Sequence, residues 1–238
     1  MDTQNAFNET QSSHDRLKEL KEFDEGKLGV KGLVDAGIQK IPGIFVRPIE
    51  DRLKDFGTYS DDISVPVIDF SHFGENEDRT AEIIKETIMA SKEWDAETKK
   101  LFYSRDFQSK HVYFFSNHDL YQSKAANWRD TLYVNARLTN GEVDPQELPP
   151  IYKDVTLEYV NHIHKLADLI LMSISLGLGL EPECLGNMAK CTKSWAIINS
   201  YYPACPEPEL TIGLDAHVDT SFITFTLTRQ YWWPPGPS

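Results

Sequence analysis

The sequence is short of cysteine, of positive charge and of long apolar runs. Its three cysteines, Cys184, Cys191 and Cys205, are odd in number, widely spaced and without a CxxC pair. That pattern excludes a disulfide scaffold and reads as reduced thiols in a cytosolic protein. Lys and Arg total 24 against 37 Asp and Glu, a formal charge of −13, and no local basic run offsets the balance. Affinity for nucleic acid and for anionic membranes rests on neutralising phosphate, so neither is expected as a partner. The most apolar stretch, 169–180, is interrupted by Ser and Gly and falls short of the roughly 20 residues a bilayer requires. Residues 1–30 are polar, with no apolar segment of signal-peptide length. A soluble, cytoplasmic protein is expected.

What is present describes an ordinary globular chain: 40% hydrophobic and 11% aromatic residues over 238 positions. At about 150 residues per domain, that is one large domain, or one domain with an arm. Residues 1–13 read as a disordered tip. A helix from Asp15 carries Leu17, Leu20 and Phe23 on one side and should end at Gly26 and Gly29. Val30–Pro48 reads as a packed arm with turns, and Ile63–Phe70 as a first strand whose Pro66 suits an edge or a strand start. A helix is predicted from Arg79 through Trp94 to Leu101 and short strands at Val112–Phe115 and Thr131–Val134, before the Pro-rich loop Thr139–Pro150. From Asp154 to Leu176 apolar residues fall on several sides of a helical wheel, which predicts a long, largely buried helix. Ala196–Tyr202 and Phe222–Leu227 read as further strands. The fold class is therefore α+β.

The sharpest chemical feature is His217-Val218-Asp219. In an extended chain, residues two apart point the same way, so an imidazole and a carboxylate can meet one metal ion. Facial sites of two His and one carboxylate use such a pair and leave positions open for a co-substrate and dioxygen. Alone, the pair fits equally a simple His–Asp hydrogen bond or a turn aspartate. His162 and His164 sit two apart on a helix and point roughly 200° apart, so they are helix-face residues rather than joint ligands. His111 and His118 either line a cleft or are plain loop residues. Cys205 reads as packing, and Trp128 and Arg129 as structural or cleft-wall residues.

Around that pair, Tyr201–Phe222 (YYPACPEPELTIGLDAHVDTSF) closely resembles the corresponding block of plant 2-oxoglutarate/Fe(II)-dependent dioxygenases. Gly29–Pro48 (GVKGLVDAGIQKIPGIFVRP), Val65–Ser71 (VPVIDFS) and Ala126–Leu132 (ANWRDTL) resemble the subgroup of 1-aminocyclopropane-1-carboxylate oxidase homologues. The resemblance implies a double-stranded β-helix (jelly roll), incomplete in this chain, with an N-terminal helical arm and the long helix against it. It implies that His217 and Asp219 ligate Fe(II), and that the Tyr202 hydroxyl donates to the distal carboxylate of 2-oxoglutarate. Fe(II) is then the cofactor, 2-oxoglutarate the co-substrate, ascorbate a further candidate, and a small specialised metabolite the molecule oxidised. The regions become 1–62 (arm), 63–150 (N-terminal dioxygenase region), 151–230 (first part of the Fe(II)/2-oxoglutarate domain) and 231–238 (a tail foreign to the pattern). The oligomeric state stays open.

Three departures accompany the matches. No His follows Asp219, whereas the resemblance places a second iron-binding His downstream. Arg229 is followed by Gln230 and Tyr231 and does not form the RxS motif whose Arg pairs with the 2-oxoglutarate carboxylate. Near Ile84–Trp94 a strand segment of the pattern is missing, so the chain is expected to be internally deleted and C-terminally truncated. Two outcomes follow: an oxidoreductase of this family, or an inactive fragment or isoform of one.

Overall fold

No Pro or Gly interrupts the chain between Thr3 and Glu25, so nothing in the backbone chemistry stops a helix there. In the computed structural model, which describes residues 3–55, 95–139, 141–188 and 194–226, α1 accordingly spans Thr3–Gly26. The expected disordered tip is therefore mostly helix. The expected strand Ile63–Phe70, the helix from Arg79 to Trp94, Cys191 and the tail 231–238 lie outside the described residues.

After α1 the chain reverses through left-handed backbone at Lys27 (φ 55°) and Gly29 (φ 67°). Gly29 does not merely end a helix, as expected; it opens α2 (Gly29–Asp35). Positive φ suits Gly, and a Cβ at this position would overlap the Asp130 carboxylate. A 3-10 turn at Gly43–Phe45 and α3 (Ile49–Asp55) follow. The arm has its own core: Leu20, Val30, Ile41, Ile44 and Phe45 bury against Leu120, Ala126 and Trp128, with Cys205 and Leu210 packed on its edge. Phe45 sits edge-on between Phe23 (5.2 Å) and Trp128 (5.0 Å), the arrangement that aromatic quadrupoles favour.

The arm is also pinned by α1's Asp24. It accepts hydrogen bonds from the hydroxyls of Tyr103 and of Tyr121, the latter at 2.9 Å. Arg105 lies 3.4 Å from the same carboxylate. Burial, and then the bond to Asp24, push the Tyr121 phenol up to about 12.

Asp95 has extended backbone angles and its side chain accepts from Thr98 N at 2.7 Å. It is thus the N-cap of α4 (Ala96–Phe102), and the helix predicted to run on from Trp94 begins only after it. β1 (Val112–Phe115), β2 (Asp130–Asn135) and β3 (Ala196–Tyr201) form a three-stranded antiparallel sheet in that order. Val112 pairs with Val134, Phe114 with Leu132, Leu132 with Asn199 and Asp130 with Tyr201. Because side chains alternate, one face carries Val112, Phe114, Leu132 and Val134, which bury Tyr152 and Leu148.

Tyr152 belongs to α5 (Pro150–Gly177), which starts earlier than predicted because Pro150 takes the first helical position, where its missing N–H costs nothing. Its buried residues are Tyr152, Val155, Thr156, Val160, Leu171 and Ser175. The helix is therefore half-covered rather than largely buried: Met172, Ile174 and Leu176 are 39%, 41% and 55% exposed. The sheet packs on its first turns through Tyr152 and Leu157, and the buried positions follow the helical period. α6 (Cys184–Met188) folds back on its end.

Residues 222–226 form no strand, and Phe222 is 64% exposed; no described strand offers them a ladder of hydrogen bonds. The architecture is α+β with an antiparallel sheet, as expected. The two facing sheets of a β-helix are not seen among the described residues. No helix among them is long and apolar enough to cross a membrane.

Candidate functional site

β3 stops at Tyr201 because Pro203, Pro206 and Pro208 remove ladder donors. The chain then runs irregularly from 202 to 226, interrupted by a 3-10 turn at Pro208–Leu210, and is fastened by partners distant in sequence. Trp128 Nε1 donates to Pro203 O at 3.0 Å and Trp128 N to Ile212 O at 2.8 Å. Ile41 N donates to Glu207 Oε2 at 2.8 Å, and Arg47 N to Leu210 O at 2.9 Å. The Arg47 guanidinium lies 3.8 Å from Asp215 Oδ1. Cys205 is tucked beneath this loop, and burial pushes its thiol up, away from reactivity.

Tyr202 is half-exposed (49%) and its ring lies against Gly213. A Cβ on residue 213 would come within 2.7 Å of the ring's Cδ1. Gly213→Ala is therefore expected to push the ring aside at a cost of about 1–2 kcal/mol. Urea unfolding of the single variants and of the double variant with Tyr202→Ala checks this. The penalty should vanish once the ring is gone, and a penalty that persists would show that the backbone, not Tyr202, sets it.

Further along the loop, His217 Nε2 stands 3.4 Å from Asp219 Oδ1, and both side chains are about half-exposed. His217 Nδ1 lies 3.0 Å from Asp215 O. A carbonyl can only accept, so Nδ1 carries the hydrogen and Nε2 turns its other side to the Asp219 carboxylate. Ligands at roughly 2.1 Å on adjacent octahedral positions lie about 3 Å apart, so the pair fits two such positions after closing by a few tenths of an ångström. Holding the distal ring nitrogen on a backbone carbonyl is how metal-binding histidines are oriented. A third donor is missing: among the described residues no group of three His, Cys, Asp or Glu side chains is placed to hold a metal.

The sheet face away from α5 is aromatic. Tyr113 and Tyr133, cross-strand partners, stack at 5.1 Å, and Phe107 packs on Tyr113 (5.4 Å), Phe115 (5.3 Å) and, face to face, His118 (4.3 Å). Burial pushes the Tyr113 phenol up to about 12. Ile198, opposite Tyr133, is 58% exposed on the same face. His118 is thus a ring partner of Phe107, while His111 pairs with Glu147 at 2.9 Å and His164 packs edge-on to Trp195.

On the opposite face lies a group that inspection of motifs missed. Asp130, 2% exposed, accepts from Val30 N (2.6 Å), Lys31 N (2.9 Å), Ser116 Oγ (2.8 Å) and Lys99 Nζ (3.4 Å). Lys99 is also buried and donates to Leu28 O at 3.2 Å. Burial pushes the Asp130 carboxyl up and the Lys99 ammonium down, each opposed by the other's charge. The pair borders a cavity of about 20 Å³ lined also by Phe114, Leu132, Tyr152, Asn199 and Tyr201. The one hint in the sequence was a charged residue opening a strand, inside ANWRDTL.

The fold resembles that of the crystal structure of JOX2 in complex with 2OG, Fe and JA. The TM-score is 0.58 at 18% identity, and the match covers 78% of this chain and 60% of that one; the class is that of the 2-oxoglutarate oxygenase fold. In sequence, the chain is 34% identical over 254 residues to deacetoxyvindoline 4-hydroxylase of Catharanthus roseus, which covers 93% of this chain and 62% of that protein. It is 36% identical over 263 residues to 1-aminocyclopropane-1-carboxylate oxidase homolog 1 of Arabidopsis thaliana, covering 94% of this chain and 71% of that protein. The homolog of Solanum lycopersicum is 36% identical over 247 residues. No protein-family profile matches. The chain belongs to the 1-aminocyclopropane-1-carboxylate oxidase homologues, within the plant 2-oxoglutarate/Fe(II)-dependent dioxygenases. It spans somewhat under two thirds of the hydroxylase's length.

Proposed function

We propose that this chain carries the first part of a 2-oxoglutarate/Fe(II) dioxygenase site and that its protein oxidises a small organic metabolite. The observation that carries the reading is the His217–Asp219 pair, facing one another with Nδ1 held by the Asp215 carbonyl. His217 and Asp219 would hold Fe(II), and Tyr202, seated on Gly213 one residue beyond β3, would donate its hydroxyl to the far carboxylate of 2-oxoglutarate. Fe(II) with 2-oxoglutarate supplies dioxygen activation for C–H oxidation. The chain's own contribution is geometric: it orients the two ligands and lays the Tyr113–Tyr133–Phe107 face beside Ile198 as an apolar wall for the substrate. The sheet β1–β2–β3 reads as part of one wall of a double-stranded β-helix, with β1 and β2 from the N-terminal dioxygenase region 63–150 and β3 from 151–230, the first part of the Fe(II)/2-oxoglutarate domain.

A second reading is favoured by the donor set. Two ligands, joined by no third His, Cys, Asp or Glu among the described residues, fit an inactive fragment or isoform of such an enzyme. One experiment separates them: the chain is incubated with Fe(II), 2-oxoglutarate and dioxygen, and succinate is measured beside a Co(II) titration. Succinate release lost in His217→Ala supports the enzyme. Co(II) binding lost in His217→Ala and Asp219→Ala, without succinate, supports the second reading. Co(II) binding indifferent to both substitutions overturns the metal site itself.

A further inference from the structure

We propose that Arg47, on the N-terminal arm, is a positioning residue for the metal-ligand pair, acting through Asp215; this rests on reading His217 and Asp219 as metal ligands. The loop after β3 is fastened at Pro203, Glu207, Leu210 and Ile212 by backbone and indole hydrogen bonds. Beyond Ile212, the Arg47–Asp215 ion pair ties the loop to the arm before the ligands are reached. The Arg47 side chain is 14% exposed, anchored at its own backbone by the bond to Leu210 O, while Asp215 is half-exposed. The carbonyl of that same Asp215 sets the tautomer and ring direction of His217. Holding Asp215 therefore holds the imidazole, and the residues that follow have little else: Val218 is 90% exposed and Phe222 64%. Arm and ligand loop thus form one device, in which a cation more than half the chain away aims a metal ligand without touching the metal.

The proposal makes a prediction of sign. A positive charge close to a metal site repels the metal, so by charge alone Arg47→Ala would tighten cation binding. By positioning, the same change loosens it. Co(II) is the probe, titrated into the full 238-residue chain by calorimetry, with far-UV circular dichroism and thermal unfolding recorded alongside. The expected result is about a two- to fivefold weakening in Arg47→Ala, the scale of losing an ion pair to a half-exposed carboxylate while the Asp215 carbonyl stays, with Arg47→Lys recovering part of it. Asp215→Ala should weaken Co(II) as well while leaving the backbone anchors of the arm in place. In that background, adding Arg47→Ala should change nothing further. Tightening there would mean that Arg47 acts only as a charge, and additional weakening would mean that it acts by holding the arm together; either overturns the proposal, as does an unaltered affinity in Arg47→Ala. The reading of the metal site fails separately, when His217→Ala leaves Co(II) affinity at the wild-type value.

Discussion

Asp130→Ala is expected to destabilise the protein by about 3–5 kcal/mol, because removing one partner of a buried ion pair leaves the other uncompensated. The Lys99 ammonium, 4% exposed, would retain Leu28 O as an acceptor. Val30 N, Lys31 N and Ser116 Oγ would each lose theirs, and unpaired buried donors carry a penalty of their own. The loss reaches four parts of the molecule at once: the start of α2, α4, the end of β1 and the start of β2. Lys99→Met should cost a comparable amount: the Asp130 carboxylate keeps three donors but loses the charge that most opposes the effect of its burial. Thermal and urea unfolding of both variants and the double variant checks the argument. A cost below about 1 kcal/mol for Asp130→Ala would mean that water reaches the pair and that it is no keystone.

Trp128→Ala is expected to cost about as much, 3–5 kcal/mol, by a different route. The indole fills the arm core beside Phe45 and its N–H holds Pro203 O, while the Trp128 backbone holds Ile212 O. Truncation leaves the backbone bond, empties the core and frees the loop on which Tyr202 and His217 ride. Trp128→Phe keeps most of the packing and loses the indole N–H, so its cost should fall to about 1–2 kcal/mol. Cys205 supplies a local readout, because it is covered by the same core. Its modification rate, followed residue by residue by mass spectrometry, should rise steeply in Trp128→Ala and modestly in Trp128→Phe. An unchanged rate at Cys205 in Trp128→Ala would show that the arm, not the tryptophan, keeps the loop down.

Periodicity made some of this legible in advance. The strands at 112–115 and 130–135 and the helix at 150–177 each carry their own pattern of apolar residues within a few positions of one another, and the HxD spacing singled out His217 and Asp219. Elsewhere the deciding partner is remote. The exposed side of α5 differs from its buried side because the sheet covers its first turns and α6 packs on its end. Asp130 reads as an ordinary strand-leading aspartate until Val30 N, 100 residues away, is seen to donate to it. The tip at 3–13 looked disordered by composition, yet with neither Gly nor Pro to break it, it continues a helix that the arm holds from the other end.

The arm core has a consequence for the order in which the protein comes into being. Val30, Ile41, Ile44 and Phe45 leave the ribosome early, whereas Trp128 follows much later and Cys205 and Leu210, which complete the edge of the same core, later still. At about 5–20 residues per second, the nascent arm waits on the order of ten to thirty seconds with its apolar face uncovered. A slow codon between 45 and 205 lengthens that exposure.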